Sequence, residues 1–170
     1  MKSNLTRTLT LGLAPSRYLS FLSLKEPTSV VVPGAGRDTT IRTTKLRVVA
    51  VDDNAAFLRE STRLLGTEFD VVATAADGES ALECIRRYRP DVVVLDLEMP
   101  RLNGIQVTRE LATDRMSPAV VICSVEDDPE IIEAARQAGA LGYVVKARIR
   151  EDLIAAVKSA ARGQSSLSRL

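Results

Sequence analysis

Five polar side chains directly follow apolar runs of this sequence, and their types together suggest one site. In open α/β sheets the chemistry is carried just beyond the carboxyl ends of the strands. Two adjacent carboxylates follow the first apolar run, one carboxylate ends the third, a hydroxyl ends the fourth and an amine ends the fifth. The residues are Asp52, Asp53, Asp96, Ser124 and Lys146. Any one of them alone would suit a helix cap or a loop, but five such positions favour a functional site.

The side-chain types favour phosphoryl transfer to a carboxylate. Three neighbouring carboxylates repel one another, so one takes up a proton unless a cation neutralises them. Mg²⁺ prefers oxygen ligands and is commonly held by one or two carboxylates plus water. Lys146 would supply a fixed positive charge, and Ser124 a hydroxyl that donates to an oxyanion. With Asp96 as the nucleophile, this set would stabilise the charge on a transferring phosphoryl group.

Apolar runs alternate with helical patterns from Leu46 onward. Residues 92–95 are apolar without interruption, which is typical of a strand buried on both faces of a parallel sheet. The pattern predicts strands over residues 46–51, 69–75, 92–96, 119–124 and 141–146. A helix is predicted after each strand, with helix starts at Asp77-Gly78 and Asp128-Pro129 and helix ends at Gly66, Gly139 and Gly163.

Strict β-α alternation with short connections predicts an α/β fold. The sheet should be doubly wound, five-stranded and parallel, with helices on both faces. The flavodoxin-like strand order 2-1-3-4-5 fits five strands of this length. In that order Asp52 and Asp53 lie beside Asp96, and Ser124 and Lys146 follow the two strands on its other side.

The composition fits a single globular domain and excludes several classes of function. The chain has 170 residues, of which 45% are hydrophobic and 26% are charged. It contains no histidine, which excludes histidine-based acid–base catalysis and a phosphohistidine on this chain. No apolar run reaches the length of a membrane span, so we expect no membrane partner and a cytoplasmic protein. Cys84 and Cys123 fall in apolar-periodic stretches and are expected to be reduced core residues.

The first 45 residues differ from the rest of the chain. They hold seven Lys/Arg against two Asp/Glu, a net charge of +5, which leaves −4 for the remainder of a chain whose total is +1. They are rich in Ser and Thr and show no persistent period, so we expect residues 1–45 to be a disordered N-terminal extension. A translation-start artefact and a targeting or docking segment are the alternatives. Residues 164–170 are expected to be a truncated linker or tail.

From residue 46 to 163 the sequence resembles the receiver domain of two-component response regulators. The motifs that carry the resemblance are VDDN, LDLEMPRLNG, ICS and GYVVK, in that order. By this resemblance, Asp96 is the phosphorylated residue. The resemblance also implies that Asp52, Asp53, Asp96 and the backbone carbonyl of Glu98 bind Mg²⁺.

The resemblance assigns Ser124 and Lys146 to the phosphoryl group. It also implies that Ser124 and Tyr143 form a switch, in which Ser124 moves toward the phosphoryl group and Tyr143 turns inward. A half-buried aromatic of the sheet is the alternative for Tyr143. The expected phosphoryl donor is a sensor histidine kinase, a phosphotransfer protein or an acyl phosphate.

The branch with a LuxR-type DNA-binding output looks most similar, through the segment ARGQSSLS that follows the last helix. The DNA-binding domain of that branch is not found in this sequence, so we expect the chain to switch a homodimer or a separate effector protein without binding DNA directly. The chain would phosphorylate and dephosphorylate itself rather than act on a separate substrate.

Two departures from the family pattern leave alternatives open. Ala147 follows the lysine where many receivers have proline, and Val125 follows Ser124 where many have a small residue. Val125 could narrow access to the phosphoryl group, so one alternative is a degenerate receiver that binds partners without phosphorylation. The other alternative is a phosphatase with an aspartyl nucleophile. Such enzymes usually place two Asp residues two positions apart after the first strand, a spacing that Asp52-Asp53-Asn54 lacks.

Overall fold

The structure, a computed structural model, describes residues 45–113 and 117–167. Within these ranges strands and helices alternate along the chain. The strands are β1 Arg47–Val51, β2 Asp70–Ala75, β3 Val92–Asp96, β4 Ala119–Ser124 and β5 Gly142–Val145. The helices are α1 Ala55–Leu65, α2 Gly78–Tyr88, α3 Gly104–Ala112, α4 Pro129–Ala138 and α5 Ile149–Ala161, with a 3₁₀ turn at Lys146–Arg148.

The five strands form one parallel sheet in the order β2-β1-β3-β4-β5. This confirms the predicted flavodoxin-like, doubly wound α/β fold. One apolar cluster packs α2, α3 and α4 against one face of the sheet, and a second packs α1 and α5 against the other. The central strand β3 is buried at every position, as its unbroken apolar run predicted. None of the helices in the described part of the chain is long and apolar enough to cross a membrane.

Side-chain caps fix where the helices begin. The side-chain oxygens of Asn54, Asp77, Asn103 and Asp128 each accept hydrogen bonds from backbone N–H groups of the helix that follows. The starts predicted at Asp77-Gly78 and Asp128-Pro129 are therefore confirmed. Asn103 also exchanges hydrogen bonds with Gln106 in a capping box, which fixes the end of the loop between β3 and α3.

Two local expectations were wrong in part. The fifth strand ends at Val145, and Lys146 begins the 3₁₀ turn instead of ending the strand. Cys84 and Cys123 are free thiols as expected, but Cys84 is only half-buried at the edge of the core, whereas Cys123 is buried. The helix end predicted at Gly66 is confirmed, with the glycine in the right-handed region at φ −61°.

The segment after α5 folds back onto the sheet. Ser166 donates its backbone N–H to the carbonyl oxygen of Leu141, at 2.8 Å, just before the edge strand β5. Leu167 is buried. The described part of the predicted tail is therefore attached to the start of β5. The rest of that tail, and all of the predicted extension except Lys45, lie outside the described residues.

Candidate functional site

The predicted carboxylates meet at the carboxyl edge of the sheet. One oxygen from each of Asp52, Asp53 and Asp96 lies within 4.8 Å of the other two. Asp52 and Asp96 are buried, whereas Asp53 is exposed at the rim. The adjacency follows from the pairing of β1 with β3, which aligns Val51 with Leu95. The structure therefore brings together the three acidic residues that the sequence pattern placed at one edge.

Lys146 joins the two buried carboxylates. Its Nζ lies 2.8 Å from Oδ2 of Asp52 and 2.9 Å from Oδ2 of Asp96. The same amine stands 4.7 Å from the centre of the Phe57 ring, which adds a cation–π contact. Phe57 was not predicted from the sequence as part of the site. Its place in the first turn of α1, soon after the acidic pair, nevertheless indicates that it lies near the site. The ring and the two carboxylates hold the amine in one position.

For both Asp96 and Lys146, burial and the neighbouring opposite charge shift the pKa in opposite directions. Burial raises the pKa of the Asp96 carboxyl, and the nearby Asp52 charge acts in the same direction, which outweighs the lowering effect of Lys146. Burial lowers the pKa of Lys146, but the hydrogen bonds and charges of the two carboxylates more than offset it, so the net pKa is raised. The lysine is therefore charged at neutral pH and is the main cation that offsets the acidic cluster.

Asp52 and Asp53 differ in what else they contact. The second carboxylate oxygen of Asp52 accepts the backbone N–H of Asn54 at 2.9 Å, so both oxygens of Asp52 have partners. Within the described residues, the Asp53 carboxylate makes no hydrogen bond or ion pair. Asp53 thus offers an open carboxylate at the rim, beside two that are held in place.

An open cavity of about 560 Å³ covers this edge of the sheet. Asp53, Asp96, Glu98, Ser124 and Lys146 all line it. Ser124 is 1% exposed, and its hydroxyl oxygen accepts the backbone N–H of Glu126 at 3.1 Å. Glu98 is near the other groups because it follows Asp96 by only two residues, in the loop after β3. The cavity can therefore admit a phosphoryl-sized group with polar side chains on several sides.

Val125 stands at the rim of the same cavity. It is 62% exposed and is the exposed large hydrophobic residue within the described ranges. Because the side chain faces solvent, it borders the opening and does not fill it. The structure thus places the residue that departs from the family pattern where an approaching molecule would meet it.

Tyr143 lies outside the acidic cavity. It lines a neighbouring depression with Asp127, Val145 and Arg148. Its hydroxyl donates to the carbonyl oxygen of Glu126 at 2.9 Å, and the half-buried ring packs against the apolar cluster of α2, α3 and α4. Burial raises the pKa of this phenol. Tyr143 and Ser124 are therefore both hydrogen-bonded to Glu126, which connects the aromatic ring to the cavity through one residue.

Gly104 closes the loop between β3 and α3 directly against the nucleophile candidate. Its backbone N–H donates to the carbonyl oxygen of Leu97 at 2.8 Å. An ideal Cβ at Gly104 would lie 2.3 Å from the carbonyl oxygen of Asp96, a distance that real Cβ atoms do not reach. The absence of a side chain at this position lets the loop return to the end of β3.

We expect Gly104→Ala to lower the free energy of unfolding by roughly 2–3 kcal/mol, because the added methyl group must displace backbone atoms of Asp96. Gly66→Ala is the matched control, since Gly66 is right-handed and its nearest contact would be 3.2 Å away. That substitution should change the free energy by less than about 1 kcal/mol. Urea denaturation measures both, and equal losses would contradict the assigned role of Gly104.

Comparisons with known proteins agree with this geometry. The sequence model of the response regulator receiver domain matches residues 48–158. The transcriptional regulatory protein DegU of Brevibacillus brevis is 37% identical over 121 residues, which are 70% of this chain and 51% of DegU. The transcriptional regulatory protein PdtaR of Mycobacterium tuberculosis is 36% identical over 115 residues, which are 67% of this chain and 56% of PdtaR.

A solved structure is also similar over the same region. The signal receiver domain of NarL from Mycobacterium tuberculosis superposes with a TM-score of 0.68 at 36% identity, covering 71% of this chain and 98% of that domain. The chain spans about half the length of the curated relatives it matches. Because the family model covers more than half of the chain, the chain belongs to the response regulator receiver domain family of two-component systems.

Proposed function

We propose that this chain is a phosphorylation-driven switch in which Asp96 accepts a phosphoryl group in a Mg²⁺-dependent reaction. The observation that carries the proposal is the Lys146 amine bound to both Asp52 and Asp96 at the base of an open cavity. The donor is a phosphohistidine on a sensor kinase or phosphotransfer protein, or a small acyl phosphate, because this chain has no histidine.

The donor atoms of the site fit a divalent cation. Three carboxylates meet within 4.8 Å, and one amine neutralises only part of their charge. Hard oxygen ligands and an excess of negative charge are what Mg²⁺ requires. In the proposal Asp52, Asp53, Asp96 and the carbonyl oxygen of Glu98 hold the ion. When bound, Mg²⁺ would neutralise the oxygens of the phosphoryl group.

The chain's own residues account for the remaining steps. A carboxylate oxygen of Asp96 forms the new P–O bond while the P–N or P–O bond of the donor breaks, and the bonding electrons leave with the donor. Lys146 is close enough to exchange one of its carboxylate contacts for a phosphoryl oxygen. Ser124 lines the same cavity and offers a hydroxyl donor. Val125 narrows the approach of water at the rim, which would slow dephosphorylation.

The output of the switch is proposed to be a protein-binding surface. Ser124 and Tyr143 are both bound to Glu126, so a movement of Ser124 toward the phosphoryl group would disturb the contact that holds the aromatic ring. The changed surface would bind either a second copy of the chain, to form a homodimer, or a separate effector protein. We further propose that the receiver domain extends over residues 46–163 and that the protein works in the cytoplasm.

The rim carboxylate gives a direct test of the metal. We expect Asp53→Asn to weaken Mg²⁺ binding at least about tenfold and to slow labelling by acetyl phosphate to a similar degree, because the open carboxylate is lost as a ligand. Asp127→Asn, an exposed carboxylate in the loop between β4 and α4, is the charge-matched control and should bind Mg²⁺ as wild type does. Calorimetric titration with MgCl₂ measures the affinities. Equal affinity of Asp53→Asn and wild type would exclude the proposed ligand.

A further inference from the structure

A tight turn shapes the loop that carries Glu98. The backbone N–H of Leu102 donates to the carbonyl oxygen of Pro100 at 2.9 Å, so three residues form a γ-turn centred on Arg101. Arg101 has φ +68°, in the left-handed region that disfavours residues with a Cβ. A γ-turn with positive φ at its centre is rare and strained. Something in the surroundings must therefore hold Arg101 in this conformation.

Residues at the start of α2 form the contacts that keep Arg101 in this conformation. The Arg101 guanidinium pairs with the carboxylate of Asp77, and its Nε lies 3.2 Å from Oε2 of Glu79. Asp77 is the buried N-cap of α2, since its side chain accepts the backbone N–H of Ser80 at 2.9 Å. The Ser80 hydrogen bonds and the Arg101 charge lower the pKa of Asp77, so it stays ionised. We call these three residues, Arg101, Asp77 and Glu79, the clasp.

Backbone packing brings the two segments into direct contact. An ideal Cβ on Gly78 would lie 2.4 Å from the carbonyl oxygen and 2.5 Å from Cβ of Leu102. The first residue of α2 thus lies against the residue that follows the γ-turn. Because Gly104 closes the loop against Asp96 at its other end, the loop is held on both sides. Glu98 lies between these supports and lines the acidic cavity.

We propose that Arg101 is a positioning residue for the cation site: its ion pairs with Asp77 and Glu79 hold the γ-turn, and the turn fixes the backbone position of Glu98, whose carbonyl would bind the ion. The inference rests on the proposed function, since it assumes that the Glu98 carbonyl is a metal ligand. It adds that α2, which contributes no ligand, controls the affinity of the site.

A purely electrostatic role for Arg101 predicts the opposite result. Removing a positive charge near a cation site should strengthen cation binding. If the clasp holds a strained turn, removing the guanidinium should weaken binding, because the loop relaxes and the carbonyl turns away. Glycine at this position should largely rescue binding, because it adopts positive φ without strain.

The experiment measures Mg²⁺ affinity by calorimetry in the full chain and, without Mg²⁺, the amide hydrogen exchange of a peptide spanning residues 97–103. Arg101→Ala should bind Mg²⁺ about tenfold more weakly than wild type and exchange faster in that peptide. Arg101→Gly should bind within about threefold of wild type. Arg109→Ala, which removes an exposed arginine of α3, is the charge-matched control and should match wild type.

The outcomes separate the two proposals. Unchanged or tighter Mg²⁺ binding by Arg101→Ala would overturn the positioning role while leaving the phosphorylation proposal intact. Equal losses in Arg101→Ala and Arg101→Gly would also overturn it, because strain in the turn would then not matter. If wild type binds no Mg²⁺ at all, the proposed function fails and this inference falls with it.

Discussion

Incubation with acetyl phosphate and Mg²⁺ is expected to add one phosphoryl group to the wild-type chain and none to Asp96→Asn. Asp96 is the carboxylate that ends the central buried strand, lines the cavity and contacts Lys146 at 2.9 Å. An amide at this position has no charged oxygen with which to attack phosphorus. Intact-mass spectrometry after a fixed incubation measures the difference, which should be the complete loss of labelling.

Asp127→Asn controls for the removal of one carboxylate near the same edge and should be labelled as wild type is. Labelling should also disappear when EDTA removes the metal and after treatment with hydroxylamine, which cleaves acyl phosphates. Equal labelling of wild type and Asp96→Asn would show that another side chain is the acceptor. Unaltered labelling in EDTA would reject the metal requirement while leaving the acceptor assignment in place.

Lys146→Met is expected to lower the free energy of unfolding by about 3 kcal/mol at pH 7 in EDTA, because it leaves two buried carboxylates without their cation. Mg²⁺ should restore part of this loss, since the ion replaces the missing positive charge. Lys158→Met is the control: Lys158 pairs with Glu68 on the surface, so its loss should cost less than about 1 kcal/mol.

The pH dependence of the free energy of unfolding of Lys146→Met follows from the protonation of Asp96. The pKa of Asp96 is raised in the folded protein, so its ionisation disfavours the folded state, and this penalty disappears as the carboxyl takes up a proton at lower pH. Removing Lys146 takes away the group that opposes this shift. The gap in unfolding free energy between Lys146→Met and wild type should therefore shrink as the pH falls from 7 toward 5. A gap that widens toward pH 5 would contradict the assigned electrostatics.

The order of the strands and the adjacency of the acidic residues were predictable from the sequence. Both depend on the spacing of the apolar residues and on the lengths of the segments that connect the strands. An unbroken apolar run such as residues 92–95 suits a strand that is buried on both faces of the sheet. The alternation of strands and helices then leaves few possible topologies. Once β1 and β3 are neighbours, Asp52, Asp53 and Asp96 must meet. These inferences need no knowledge of side-chain rotamers or of loop geometry.

The missed features depend on contacts between segments far apart in sequence. Nothing in the composition of LEMPRLNG shows that Arg101 adopts positive φ, because the compensating carboxylates are on α2. Phe57 contacts Lys146 only after α1 and the end of β5 have packed together. Cys84 fits an apolar helical period but falls at the margin of the buried face, where period alone does not decide exposure. Pattern reasoning identifies faces, whereas these details follow from packing.

The wide separation of the site residues in sequence bears on how the protein is made. The acidic pair follows β1, Asp96 ends β3, and the lysine that pairs with Asp52 and Asp96 comes after β5. A growing chain on the ribosome therefore carries unpaired carboxylates until its last strand has emerged and docked beside β4. By the proposed function, the capacity to bind a cation or accept a phosphoryl group should therefore arise in a single late step of synthesis. A chain truncated before Lys146 should then accept no phosphoryl group at all, instead of being partly active.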